Sequence, residues 1–195
     1  MKNVIRTAAA LALLLLAPAA LAQGRGARSS SGLTNANVLL GFEDGDGNTG
    51  LALRGDLEML PTHLGPNTNL SLVLSLGYSR FSDSYYGWEW GMNLFKLVPA
   101  ARFGFDVAPR FGLYGDAGLG LYFANMSVKE RDPYYGTWTK ASDSTVGLVM
   151  RLAAGAKFDV TPTFGLGAEI GVNPYFGGDY EDTTFTGMLL ASFRM

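Results

Sequence analysis

The chain has 195 residues, 26 glycines, no cysteine and a formal net charge of −2. The missing thiols exclude a disulfide framework, a thiolate metal site and a lipid-modified N-terminal cysteine. The mild acidity argues against nucleic acid as a partner, and glycine without a strict three-residue period excludes a collagen-like rod.

At the N-terminus, Lys2 and Arg6 precede the apolar run Ala8 to Leu16, which Pro18 interrupts before Ala20-Leu21-Ala22. This is the layout of a secretory signal with cleavage after Ala22. The run is too short for a retained transmembrane helix. Residues 1–22 are therefore assigned to the signal, 23–32 to an N-terminal periplasmic extension and 33–195 to one folded domain. Cleavage leaves 13 basic against 17 acidic residues.

Beyond the signal, apolar residues recur at period two rather than 3.6, which predicts strands and no helix. Strands are expected at 33–43, 49–60, 69–81, 92–107, 111–128, 145–159, 163–175 and 184–195. Between the first two, Asp44-Gly45-Asp46-Gly47-Asn48 begins like a calcium loop. Thr49 stands where glycine is required and Gly55 where the bidentate glutamate should be, so the stretch reads as an Asp-Gly hairpin. The third strand is the cleanest: Leu70, Leu72, Leu74 and Leu76 alternate with Ser71, Val73, Ser75 and Gly77. Pro99 inside the fourth cannot donate to a ladder and predicts a bulge or break. A separate hairpin arm over Trp88 to Lys96 would raise the strand count from eight to ten.

Phe105-Asp106-Val107-Ala108-Pro109-Arg110-Phe111-Gly112-Leu113 recurs as Phe158-Asp159-Val160-Thr161-Pro162-Thr163-Phe164-Gly165-Leu166, a repeated hairpin unit. Tight turns at 107–110 and 160–163 and a moderate one at 61–68 alternate with longer connections at 82–91, 129–144 and 176–183. That asymmetry, with an even strand number, suits a transmembrane barrel with both termini on the short-turn side. One strand face is apolar, with aromatics near both ends: Phe103, Phe105, Phe111, Phe158, Phe164 and Phe193 by the short turns, and Trp88, Trp90, Tyr122, Phe123, Tyr175 and Phe176 by the loops. The other face carries small residues and charges of both signs: Arg54, Asp56, Glu58, Arg102, Asp116, Arg151, Lys157 and Glu169. The expected architecture is an all-β, transmembrane, antiparallel up-and-down barrel with a lumen of small residues and paired ions.

With these features, the chain from about residue 33 to 195 resembles the small outer-membrane β-barrel superfamily that includes OmpA-type membrane domains and OmpX- and OmpW-like proteins. The resemblance rests on strand alternation, the turns around Pro109 and Pro162, the glycine-rich run Gly115 to Gly120 and the final aromatic strand. That strand departs from the usual pattern, since its aromatic is Phe193 and Met195 is terminal. The resemblance implies the bacterial outer membrane, outer-membrane lipid as a partner, insertion by the barrel assembly machinery, and roles from passive structure to small pores.

No catalytic constellation is legible. The one histidine, His63, falls in a short turn, across the membrane from the outer leaflet, where it reaches no predicted loop nucleophile. No cofactor or metal is expected. The lumen charges read as a packed network, because eight strands leave a bore just wide enough for side chains; the alternative is a narrow conduit for small solutes. A candidate interaction surface for an extracellular ligand is the loop set Tyr85, Tyr86, Trp88, Trp90, Tyr134, Tyr135, Trp138 and Tyr180.

Overall fold

The computed structural model describes residues 33–85, 88–131, 137–178 and 180–195, without the side chains of Tyr85 and Arg131. The assigned signal (1–22) and extension (23–32), together with Tyr86, Tyr134 and Tyr135, lie outside the described residues. The strands are β1 (Leu33–Gly45), β2 (Asn48–Gly65), β3 (Thr68–Tyr85), β4 (Trp88–Ala108), β5 (Phe111–Arg131), β6 (Trp138–Asp159), β7 (Phe164–Phe176) and β8 (Thr183–Arg194). Each pairs antiparallel with its chain neighbours, and β1 closes the ring against β8 from Asn35↔Arg194 to Asp44↔Phe185. The count is eight, because Trp88 to Lys96 forms one continuous strand with the rest of β4.

Side-chain alternation sets inside and outside. Leu72, Leu74 and Leu76 are 51, 36 and 55% exposed, while Ser71, Val73 and Ser75 between them are buried. The same alternation runs round the ring, so apolar side chains cover its outer surface. In water each Å² of that surface would cost about 25 cal/mol; in hydrocarbon it costs nothing, and closure leaves no unpaired edge there.

The start of β1 at Leu33 and the C-terminal Met195 share one end with the tight connections at Pro66-Asn67, Pro109-Arg110 and 160–163. These turns interlock through the repeated unit. Asp106 N–H donates to the Asn67 carbonyl at 2.8 Å, Asp159 N–H to the Arg110 carbonyl at 2.8 Å, and Arg194 N–H to the Thr163 carbonyl at 2.9 Å. At the other end of the ring, Asp46 and Gly47 (φ 47° and 73°) join β1 to β2 in a two-residue turn.

Two prolines mark irregularities. The β2–β3 register shifts between Met59 and Thr62, around Leu60 (φ 53°) and Pro61, so β2 bends and continues to Gly65 where a turn is expected from residue 61. At Pro99 the ladder to β5 lapses between Leu97↔Leu121 and Ala100↔Gly118, yet the register is kept. The outcome there is a break without a bulge. Pro99 lacks an N–H, and its pairing with Leu74 on the other side is intact.

The largest departure from the sequence reading is strand length. β3 to β6 contain 18 to 22 residues, against roughly 9–11 needed to cross a bilayer. They remain paired as far as Tyr85↔Trp88, Trp88↔Glu130 and Arg131↔Trp138. The stretches expected as loops at 82–91 and 129–144 are therefore mostly a four-stranded wall standing beyond the apolar belt.

Candidate functional site

The lumen is built in layers. In the middle, β2 supplies Arg54, Asp56 and Glu58, β4 Arg102, β5 Asp116, β6 Arg151 and β7 Glu169, all nine-tenths buried or more. Inward alternation brings them to one level of the bore. Arg54 forks onto Glu169 with two bonds of 2.7 Å and turns its Nε to Asp56 at 2.9 Å. Arg102 forks onto Asp116 at 2.7 and 2.8 Å, and its charge also lies 3.4 Å from Asp56 and 3.5 Å from Glu58. Arg151 bonds Asp116 and donates to Ser75 Oγ at 2.5 Å. Glu58 accepts from Ser71 at 2.8 Å and from Asn35 at 3.1 Å. Tyr114 donates to Glu169 at 3.0 Å, with the Arg102 guanidinium 4.3 Å from its ring centroid. Buried ions need this degree of pairing to persist. Asp56, Asp116 and Glu169 lie close enough together to hold a cation, but three arginines already supply the opposing charge.

Lys157 is a correction to the expected set. It points inward but sits at the terminal rim, 3.7 Å from Asp159, with both side chains about a quarter exposed. Arg194 lies 3.2 Å from the same carboxylate. Lys157→Ala is accordingly expected to change unfolding free energy by no more than about 0.5 kcal/mol, measured by urea titration in lipid vesicles.

A second ionic site, farther from the termini, was not read from the sequence. Glu43 of β1 is fully buried and accepts from Lys96 at 2.5 Å, Tyr175 and Thr184 at 2.6 Å each, and Ser79. Above it lies an apolar cluster of Phe81, Met92, Leu94, Val98, Tyr122, Ala124, Val149 and Tyr175. Tyr122 and Tyr175 are expected in the outer girdle but are 1 and 2% exposed inside the bore, because they share strand faces with Asp116 and Glu169. Their rings pack edge-on at 5.2 Å, and Tyr180 from the β7–β8 connection packs on both at 5.2 and 6.1 Å. The Tyr122 hydroxyl bonds the Gly177 and Tyr180 carbonyls at 2.5 and 2.7 Å, fastening that connection over the mouth. Burial, then the Asp182 carboxylate, holds the Tyr180 phenol far above its ordinary range, so it stays a neutral donor.

The expected aromatic surface divides. Trp88 and Trp138 are half exposed near the tips of the wall, whereas Trp90 and Tyr180 pack against the inner cluster. His63 is exposed near the terminal end, opposite Asn69.

A closed ring of eight antiparallel strands with an apolar exterior and an ionic interior defines a transmembrane barrel. The chain belongs to the outer membrane protein beta-barrel domain family, whose model matches residues 7–193, and this membership indicates the bacterial outer membrane. Its fold is similar to that of Neisserial surface protein A, at 15% identity and TM-score 0.58, covering 86% of this chain and 100% of the other. The outer membrane enzyme PagL gives 14% and 0.53, covering 83 and 99%. The outer membrane protease OmpT from Escherichia coli gives 11% and 0.51, covering 85 and 94%. No curated protein matches the sequence. At such identities the likeness is one of fold, and it spans enzymes as well as a surface protein.

Proposed function

We propose that this protein is a non-enzymatic, non-conducting outer-membrane barrel with a structural role, whose contacts are made by the wall of β3 to β6, with both termini in the periplasm. The observation that carries this reading is the filled bore. Guanidinium–carboxylate pairs occupy its middle, the Glu43–Lys96 site lies next, and packed aromatic and aliphatic side chains close the mouth. A polar vestibule of about 190 Å³ opens at the terminal end and is bounded inward by Glu58 and Arg102. A conduit would require all of these layers to part. The short turns beside both termini support the orientation. The position of His63 supports a non-catalytic role, since it is exposed near the terminal end, opposite Asn69. The apolar belt suits outer-membrane lipid, and the final strand with Phe193 suits recognition by the barrel assembly machinery.

Planar-bilayer recording tests the reading. The folded protein is expected to give no steady single-channel conductance. A stable conductance that changes with Arg151→Ala would replace this proposal with the conduit.

A further inference from the structure

The outward face of the wall is organised in cross-strand rows. The uppermost aromatic row of the belt is Tyr78–Phe95–Phe123–Val146, with ring centroids 4.9 and 6.5 Å apart along it. Directly above runs Arg80–Asn93–Asn125–Ser144, in which Asn93 accepts from the Tyr78 hydroxyl at 2.8 Å and Asn125 donates to Ser144 at 2.9 Å. The next row is Ser82–Gly91–Ser127–Ser142, and the next Ser84–Glu89–Lys129–Lys140. Gly91 has no side chain to fill its place, and the wall is hollow there. The hollow measures about 330 Å³, with Arg80 on the membrane side, Ser84 and Lys129 on the far side and Ser82 and Ser127 between.

We propose that this hollow binds the phosphorylated sugar headgroup of an outer-leaflet glycolipid. The inference rests on the orientation proposed above. A lipid with acyl chains against Phe95 and Phe123 brings its headgroup out one row higher, at Arg80 and the two asparagines, so the site continues the lipid-facing belt. The chemistry matches. Arginine offers a planar fork for a phosphate, Lys129 a second cation at the other end, and the serines and asparagines complement sugar hydroxyls. Glu89 holds Lys129 at 2.7 Å, but both side chains are nearly half exposed, 48 and 46%. Such a pair is weak enough for a phosphate to displace the carboxylate. Asp83 also borders the hollow, where its carboxylate accepts the Ser84 N–H at 2.7 Å.

The test uses the folded full-length barrel in phosphatidylcholine bilayers with or without lipopolysaccharide, followed by thermal unfolding on heat-modifiability gels. Lipopolysaccharide is expected to raise the unfolding temperature by several degrees. Arg80→Ala/Lys129→Ala is expected to lose more than half of that rise while unfolding normally in phosphatidylcholine alone. Lipopolysaccharide stripped of phosphate is expected to stabilise neither protein. Equal rises in wild type and variant, or with and without phosphate, would overturn the site. Orientation is read separately: Ser84→Cys, in a chain without native cysteine, is expected to react with an impermeant maleimide on intact cells. Reaction only after permeabilisation would overturn the orientation, and with it the glycolipid as ligand. Outside labelling without the lipid discrimination would overturn the site alone.

Discussion

Arg102→Ala is expected to lower the unfolding free energy of the barrel by about 3–5 kcal/mol, measured by urea titration of the folded protein in lipid vesicles. The loss comes from the partners left behind. Arg102 is 5% exposed and is shared among Asp116, Asp56 and Glu58. Without it, Asp116 retains Arg151 and Asp56 retains Arg54, but Glu58 keeps only neutral donors among its close contacts. Arg102→Lys restores the charge without the fork onto Asp116 and is expected to recover less than half of the loss. A change under about 1 kcal/mol for Arg102→Ala, within the range of an exposed pair, would show that the bore is wet enough to solvate these ions.

Gly41→Ala is expected to be nearly as damaging, through packing rather than charge. A Cβ built on Gly41 falls 1.9 Å from the Gly187 carbonyl oxygen and 2.7 Å from Met188 Cα. Both are backbone atoms of β8, so the strain falls on the β1–β8 seam. Overpacking of this kind costs about 1–3 kcal/mol, and more when backbone must move. The expected result is a lower unfolding temperature on heat-modifiability gels and a reduced folded fraction. Gly55→Ala is the control, because a Cβ there meets nothing within 4 Å. Equal behaviour of the two variants would remove the seam as a constraint.

The ring and its two faces are legible in the sequence because hydrocarbon enforces strict alternation. Leu70 to Leu76 leave no other choice of face, and the Pro109 and Pro162 repeats locate two turns. That legibility ends where the alternation fades. Along the described residues 82–85, 88–91, 129–131 and 137–144 polar side chains interrupt the apolar period, although Trp90 packs inward, and the backbone ladder holds β3 to β6 extended there. Lys157 shows a second limit. Parity alone correctly pointed it inward, but depth along β6 decides whether an inward charge is buried, and Lys157 lies two residues from the strand end. Glu43 and Lys96 failed in the opposite sense. Glu43 is the last residue of the first expected strand and Lys96 lies within the fourth, and neither belongs to the expected lumen set. Their meeting depends on ring closure, which brings together residues 53 apart in sequence. The apolar cluster above them is not legible because its inward members Phe81, Met92 and Leu94 lie at the ends of the third and fourth expected strands, beside the loop expected at 82–91.

The seven mid-bore ions come from β2, β4, β5, β6 and β7, and the fork from Arg54 to Glu169 spans 115 residues. A half-built sheet holding β2 to β5 would carry Arg54 and Arg102 against Asp56, Glu58 and Asp116, with nothing yet to complete the set. Hydrocarbon tolerates such a remainder poorly. Only when β7 supplies Glu169 does Arg54 gain its fork, so a sheet closed in the wrong register would carry the energetic cost of an orphan buried ion.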